Sequence, residues 1–201
     1  MRVKLESTRK KIEKSALEEF YQFGFKNASM RVIAKNADMT VGNLYCYFEN
    51  KEDMFRSLVE NVRKEILDLV NKIAEPILSD LGFPEDKLRE VISFAADYIY
   101  KRKKELIILF QGAKGSIYGD FKNKFTDKLS QTLKKGIEQI EKSTSQKFDV
   151  QKEFVIELLS ETYITMIIEI LKKNKSKDWI EKVMFDIIRL LHKGVMSFFD
   201  K

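Results

Sequence analysis

Helix-breaking residues are scarce in this chain, and no other feature constrains its fold more. Only two prolines, Pro76 and Pro84, and eight glycines interrupt the 201 residues. Between them, apolar residues recur three or four positions apart in almost every stretch, which is the period of an amphipathic helix. The sequence therefore predicts an all-α fold of about nine helices.

Glycine and capping residues mark the ends of the predicted helices. Gly24 can end the first helix, because glycine readily takes the left-handed conformation just past a helix end. Ser29 and Thr40 can each begin a short helix, since a side-chain oxygen at this position accepts a hydrogen bond from a free backbone N–H. The predicted helices cover about 7–23, 29–36, 41–48, 51–74, 85–103, 105–113, 118–142, 150–174 and 178–199. The first of them carries a stripe of residues that we expect to be buried: Ile12, Ala16, Phe20 and Phe23.

Basic residues are concentrated in the first quarter of the chain. The whole sequence has a net charge of +6, and residues 1–51 hold ten of its 37 Lys and Arg residues but only six of its 31 acidic residues. A basic N-terminal region fits a polyanionic partner such as nucleic acid. A solvated, lysine-rich surface would give the same composition, so charge supports DNA binding without deciding it.

The cysteine content and the apolar runs bear on location. Cys46 is the only cysteine, so the chain forms no internal disulfide, which suits a reducing compartment. No apolar run reaches the roughly 20 residues that span a bilayer, and the first residues lack the apolar core of a signal peptide. We therefore expect a soluble, cytoplasmic protein with no membrane partner.

Residues suited to catalysis or metal binding are few. His192 is the only histidine and Cys46 the only cysteine, whereas metal sites generally need several such ligands. The glycines form neither a P-loop nor a Rossmann fingerprint. The sequence therefore predicts that the protein is not an enzyme and binds no metal or cofactor.

A helix-turn-helix pattern is the part of the sequence that indicates a function. Two short predicted helices are joined by the turn Ala37-Asp38-Met39, and Thr40 can cap the second. Leu44 and Phe48, four residues apart, can anchor this second helix to a core. Its remaining faces carry Gly42, Asn43, Tyr45, Cys46 and Tyr47. The pattern favours DNA binding, although a small helical subdomain with surface tyrosines would also show it.

The residue types on these faces suit contacts with DNA. A glycine near the start of a helix lets the backbone approach a groove closely, and Asn43 can hydrogen-bond to base edges. Tyr45 and Tyr47 can reach phosphate oxygens. Lys51 opens the next helix, where free N–H groups and the helix dipole also favour a phosphate.

A pattern of spaced residues runs without a gap from about residue 9 to residue 55. It consists of Ile12, Ala16, Phe20, Gly24-Phe25, Ser29-Met30, Ile33-Ala34, Ala37, Thr40, Gly42, Leu44-Tyr45, Tyr47-Phe48, Lys51-Glu52 and Phe55. In this pattern the chain resembles the N-terminal domain of the TetR family of bacterial repressors. The rest of the chain resembles the family only in its length and its helical character.

The resemblance implies that the second short helix lies in the major groove, with Ser29 and Lys51 at phosphates. The DNA-binding residues predicted in this way are Ser29, Arg31, Thr40, Val41, Gly42, Asn43, Tyr45, Cys46, Tyr47 and Lys51. Two positions depart from the family. Asp38 stands where glycine is usual in the turn, and Cys46 stands where a larger aromatic or polar residue is more common. Aspartate tolerates the left-handed conformation better than most residues do, so we expect the turn to form.

The resemblance also implies two domains. Residues 1–50 would form the helix-turn-helix domain, and residues 51–201 a larger helical domain for ligand binding and dimerisation. We expect a homodimer, because helix-turn-helix proteins pair across two half-sites. Helices 150–174 and 178–199 are the predicted interface, since their apolar positions exceed a single helix face. The alternative is that both helices are central to the core of one chain.

TetR-like proteins usually hold a small-molecule pocket within the C-terminal helices. The predicted lining residues are Phe94, Tyr98, Phe110, Phe121, Phe125, Tyr163 and Met166, although aromatic residues at helical spacing also occur in an ordinary core. We expect an apolar or amphipathic ligand. Its binding would move the helix at 51–74 and so change the separation of the two recognition helices.

The predicted function is therefore a sequence-specific transcriptional repressor that a small ligand releases from its operator. One alternative is a redox-responsive regulator in which oxidation of Cys46 weakens DNA binding. Another is a helical protein that binds partners other than DNA. Repression and activation are not distinguished by the sequence, because the difference depends on where the operator lies.

Overall fold

The structure, a computed structural model, describes residues 2–74, 84–145, 147–148 and 151–197. In chain order its helices are α1 (Arg2–Asn27), α2 (Met30–Asn36), α3 (Val41–Leu44), α4 (Lys51–Leu69), α5 (Glu85–Lys101), α6 (Lys103–Ile107), α7 (Phe121–Thr144), α8 (Lys152–Lys172) and α9 (Lys177–Met196). Two π-helical turns, Val70–Ala74 and Ile108–Gly112, directly follow α4 and α6. The described ranges contain no strand, and the predicted all-α fold is confirmed. The predicted break at Pro76, and residues 150 and 198–199 of the predicted interface helices, lie outside the described residues.

Most predicted helices agree with the structure, but α3 is shorter than expected. The prediction for 41–48 is wrong beyond Leu44, where the chain continues in tighter turns. The N–H of Cys46 donates to the Asn43 carbonyl at 3.2 Å, and the N–H of Tyr47 donates to the Leu44 carbonyl at 3.0 Å. These two bonds span three residues, as in a 3₁₀-helix, and they occur beside a four-residue bond from the N–H of Phe48 to the Leu44 carbonyl at 3.3 Å. The segment predicted as one helix at 105–113 is likewise divided into α6 and a π-helical turn.

The buried stripe of α1 ends one turn earlier than the sequence predicted. Ile12, Ala16 and Phe20 are fully buried, as expected, whereas Phe23 is 51% exposed. Gly24, the next residue, interrupts the helical backbone with a φ of 68° and a ψ of 171°. The expectation that Phe23 is buried is therefore wrong.

Two compact units make up the chain. The first contains Met1–Lys64 and Arg102–Lys122, and the second contains Glu65–Lys101 and Asn123–Lys201. This grouping differs from the expected division into 1–50 and 51–201, because α6 and the loop that follows it pack with the N-terminal helices. Lys104 of α6, for example, forms an ion pair with Glu18 of α1.

Two glycines allow a close backbone approach inside the first unit. A Cβ atom added at Gly24 would lie 3.2 Å from the carbonyl oxygen of Gly112, which is the last residue of the π-helical turn after α6. The positive φ of Gly24 also belongs to a region that is essentially restricted to glycine. The close approach of α1 to this turn therefore depends above all on the absence of a side chain at Gly24.

Aromatic packing and one ion cluster complete the first unit. The Phe55 ring packs edge-on against Phe20 with centroids 5.0 Å apart, and it also contacts Tyr118 at 6.1 Å. The Tyr118 hydroxyl donates to Glu60 at 3.0 Å. The hydrogen bond from Arg63, with that from Tyr118, lowers the pKa of Glu60 to about 2 despite the opposing effect of burial. Glu60 therefore remains a charged acceptor near neutral pH.

In the second unit, α5 packs along α9. The Ser93 hydroxyl donates to Glu181 at 2.9 Å, and the Arg89 guanidinium lies 3.8 Å from the centroid of the Phe185 ring. A groove of about 530 Å³ on this unit is lined by Arg89, Ile92, Asp178, Glu181, Lys182, Phe185, Asp186 and Arg189. None of the described helices is long and apolar enough to cross a membrane.

Candidate nucleic-acid interface

The first helix of the helix-turn-helix is fixed at its beginning by Ser29. The Ser29 hydroxyl accepts the N–H of Val32 at 3.5 Å, so Ser29 caps α2 as predicted. Its own N–H donates to the buried carboxylate of Glu19 on α1 at 2.9 Å. One turn along α2, the Ile33 carbonyl accepts the Ser15 hydroxyl at 2.9 Å. These bonds hold the start of α2 against α1.

The turn between α2 and α3 has the left-handed residue that the sequence predicted. Asp38 has a φ of 54°, and its carboxylate lies 2.5 Å from the ammonium of Lys11 on α1. The hydrogen bond from Lys11 lowers the pKa of Asp38 below its usual value. Aspartate therefore supplies both the backbone conformation of the turn and a link to α1.

The second helix is held by a cap and two buried anchors. The Thr40 hydroxyl accepts the N–H of Asn43 at 3.2 Å, as expected of an N-cap residue. Leu44 and Phe48 are almost completely buried, and the Arg9 guanidinium covers the outer face of the Phe48 ring at 4.7 Å from its centroid. The prediction that these two side chains anchor α3 is confirmed.

The rest of α3 and the turn after it face away from the core. Gly42, Asn43, Tyr45 and Cys46 are exposed, and Val41 and Tyr47 are half-buried. A Cβ atom added at Gly42 would meet only the Thr40 hydroxyl, at 4.0 Å. Packing within the chain therefore does not require glycine at position 42. A partner that approaches the backbone closely would require it.

Lys51 begins α4 and is held by the end of α1. Its ammonium donates to the Lys26 carbonyl at 3.2 Å and lies 5.0 Å from the centroid of the Phe25 ring. Burial lowers the pKa of Lys51, and the negative charge of Glu19 opposes this effect. The Lys51 side chain is thus placed beside the start of α2, although its ammonium is engaged by a backbone carbonyl.

The predicted DNA-binding residues all belong to the first unit. They lie at the start of α2, on α3 with the turn after it, and at the start of α4. Arg31, on α2, is exposed. Lys26 and Lys114 are basic residues outside the predicted set, and their segments contact each other although they are far apart in the chain. Their contact with DNA, like that of the predicted residues, stays a prediction.

The predicted ligand-lining residues are divided between the two compact units. Phe110 and Phe121 belong to the first unit, with ring centroids 5.3 Å apart. The other five belong to the second unit, namely Phe94, Tyr98, Phe125, Tyr163 and Met166. Phe94 is 62% exposed, which does not fit the wall of an internal cavity in a single chain.

The hydroxyl groups of Tyr98 and Tyr163 have different surroundings. The Tyr98 hydroxyl donates to Glu65 at 2.9 Å. Burial raises the pKa of Tyr163 to about 12, so its hydroxyl keeps its proton near neutral pH. The groove at Phe185 includes none of the seven predicted residues and has six charged side chains, so it does not suit an apolar ligand.

Comparison with known proteins connects this surface to a family. Residues 12–58 match the model of the family described as bacterial regulatory proteins, tetR family. The uncharacterised HTH-type transcriptional regulator YhgD of Bacillus subtilis is 34% identical over 70 residues, which are 35% of this chain and 37% of that protein. The HTH-type transcriptional repressor NicS of Pseudomonas putida is 31% identical over 102 residues, which are 51% of this chain and 46% of that protein. The chain thus spans half or less of the length of these relatives.

A solved structure extends the similarity of fold to most of the chain. A TetR-like transcriptional regulator from Rhodococcus sp. RHA1 superposes with a TM-score of 0.62 at 17% identity, over 89% of this chain and 91% of that chain. At this level of identity the comparison shows a shared fold.

Proposed function

Because residues 12–58 match the model of the tetR family of bacterial regulatory proteins, we propose that this chain belongs to that family and is a sequence-specific transcriptional repressor. It binds operator DNA as a homodimer and is released by a small apolar or amphipathic ligand. The proposal includes the cytoplasmic location expected from the sequence, because a repressor acts in the compartment that contains the DNA. It assigns no catalytic activity to the protein.

The open face of α3 is the observation that carries the proposal. The buried side chains of Leu44 and Phe48 anchor the helix to the core, while Gly42, Asn43 and Tyr45 are exposed to solvent. An exposed amide can read base edges, and a helix face without a side chain can approach the groove. The neutral polar groups of this face would read the bases, and the basic residues around it would meet the phosphates.

Selection of binding sites from random duplex DNA with the purified protein tests the proposal. We expect an enriched palindrome whose half-sites are about one helical turn apart, since that spacing matches a symmetric dimer. Gly42→Glu should abolish the enrichment, because it places a bulky negative charge where the backbone meets the groove. Gln131→Glu, which adds the same charge at an exposed position of α7 in the other unit, should leave it unchanged.

Failure of the selection would contradict the proposal that the protein reads a specific DNA sequence. If the wild-type protein enriched no sequence at low salt, the helix-turn-helix would not be a specific reader. A helical protein that binds partners other than DNA would then be the better interpretation.

Homodimerisation through α8 and α9 is supported by apolar side chains on their exposed faces. Phe154 and Leu158, one turn apart on α8, are 65% and 53% exposed. Leu190 on α9 is 71% exposed, and a Cβ atom added at Gly194, four residues on, would have no atom within 4 Å. Burial of such residues against a second copy would remove apolar surface from water.

The release step is proposed to act through α4. This helix has residues in both compact units, with Lys51–Lys64 in the first and Glu65–Leu69 in the second. A ligand that favours one position of α4 would change the separation of the two recognition helices, to which DNA of fixed half-site spacing is sensitive. A ligand with equal affinity for both states would have no effect.

A further inference from the structure

Three segments of the first unit that each carry a lysine contact one another at one edge. Lys26 lies at the end of α1, Lys51 at the start of α4, and Lys114 in the loop between the second π-helical turn and α7. The Lys51 ammonium donates to the Lys26 carbonyl at 3.2 Å. A Cβ atom at Gly115, the residue after Lys114, would lie 3.8 Å from both the Lys26 Cβ and the Phe25 ring. The backbone of the loop therefore contacts the end of α1 directly beside Lys114.

The loop that carries Lys114 is held in one conformation. Gly115 has a φ of 94°, which favours glycine. The N–H of Ile117 donates to Glu52 on α4 at 3.2 Å, and the Tyr118 hydroxyl donates to Glu60 at 3.0 Å. These bonds to Glu52 and Glu60 hold the loop against α4.

The three lysines outnumber the two carboxylates that hydrogen-bond to the backbone of the adjoining segments. Glu19 accepts the N–H of Ser29, and Glu52 accepts that of Ile117. Lys26 and Lys114 are exposed, and within the described part of the chain their ammonium groups form no ion pair. The edge adjoins the start of α2, where Ser29 is a predicted phosphate contact.

We propose that Lys114, together with Lys26, binds the operator backbone at phosphates beyond those reached by the helix-turn-helix. The inference rests on the proposed function, because the partner of this edge is the same DNA duplex. The contact is with phosphate oxygens and carries no sequence information. It adds to the affinity by releasing counterions from the DNA.

The salt dependence of operator binding tests this contact. Fluorescence anisotropy of a labelled duplex carrying the selected palindrome would give the binding constant over a series of KCl concentrations. Each phosphate that a protein neutralises contributes about 0.9 to the slope of log K against log salt. Lys114→Ala should therefore reduce the slope by about 1.8 for a dimer that loses one contact in each protomer. Lys114→Arg should retain it.

A matched variant separates a local contact from a change in net charge. Lys134→Ala removes the same charge from an exposed position on α7 in the second unit, and we expect the wild-type slope. Repeating the selection with Lys114→Ala should return the same palindrome, since a backbone contact does not read bases. Equal slopes for the wild type, Lys114→Ala and Lys134→Ala would overturn the inference, as would an equal reduction by both alanine variants. Failure of the wild type to bind any duplex would instead overturn the proposed function, and the inference with it.

Discussion

Lys51 lies at the start of a helix, and the tertiary structure decides the hydrogen-bond partner of its ammonium. The sequence places it at the start of a helix, where a phosphate is favoured. In the structure its ammonium is bound to the Lys26 carbonyl over the Phe25 ring. An ammonium has three N–H donors, so Lys51 can keep the Lys26 carbonyl and still donate to a phosphate, and such charge-assisted hydrogen bonds are the stronger kind.

Two glycines give opposite predictions for the same substitution. Gly24→Ala should lower the free energy of unfolding by about 1–3 kcal/mol, because alanine is strained in that backbone conformation and its Cβ would lie 3.2 Å from the Gly112 carbonyl oxygen. Gly194→Ala should raise the stability by up to about 1 kcal/mol, since it adds helix propensity at a position with no atom within 4 Å. Urea denaturation followed by circular dichroism measures both. Equal effects of the two substitutions would contradict this account of Gly24.

At the scale of elements, the short α3 depends on its ends more than on its length. Four residues provide few internal hydrogen bonds, so the cap at Thr40 and the anchors Leu44 and Phe48 hold it. A helix of this size would not persist alone, because helix nucleation is costly. The neighbouring helices therefore decide the orientation of the residues that would read DNA.

Removal of the cap tests this dependence. Thr40→Ala should cost about 1 kcal/mol of stability, because the N–H of Asn43 loses its side-chain acceptor. It should also weaken operator binding, since α3 is less well fixed. Thr40→Ser keeps the hydroxyl and serves as the control in thermal unfolding and anisotropy measurements. If alanine and serine at position 40 gave the same melting temperature, the cap would contribute nothing.

At the scale of the whole molecule, the question is what covers the exposed apolar residues of α8 and α9. The two predicted interface helices contribute buried residues to the second unit, such as Ile164 and Met184. They also expose Phe154, Leu158 and Leu190. The alternatives of core and interface are therefore compatible, because different faces of one helix can serve each of them.

A charge on the exposed face should separate the proposed dimer. Leu190→Asp places a carboxylate in what would be an apolar interface, where burial of an unpaired charge is unfavourable. Sedimentation equilibrium should show the mass of a dimer for the wild type and of a monomer for this variant. The affinity of this variant for operator DNA should also fall, because a monomer contacts only one half-site and binds weakly. Lys182→Gln makes the same change in net charge at another exposed position of α9 and should remain dimeric. If Leu190→Asp were also dimeric, the exposed face of α9 that carries Leu190 would be excluded as the dimer interface.

The sequence by itself determined the helix-turn-helix in detail. Ser29, Thr40, Leu44 and Phe48 have the cap and anchor roles that their spacing predicts, and Asp38 has the left-handed conformation that the resemblance to the TetR family implies. This was possible because those roles depend on hydrogen bonds and packing between residues that are close in the chain. The length of α3 and the exposure of Phe23 escaped prediction, because the apolar period does not show where neighbouring helices stop covering a face.

Only the tertiary structure decided which distant segments share a unit. The packing of α6 and its following loop with the N-terminal helices joins Lys104 to Glu18, and Tyr118 to Glu60. It also brings Lys114 beside Lys26. Such contacts depend on how the chain closes over many residues and on complementary shapes at the contact, as at Gly24 and Gly112. The spacing of apolar residues along the chain predicts neither the chain closure nor the complementary shapes. The positive edge beside the proposed DNA-binding surface can therefore be recognised only in the folded chain.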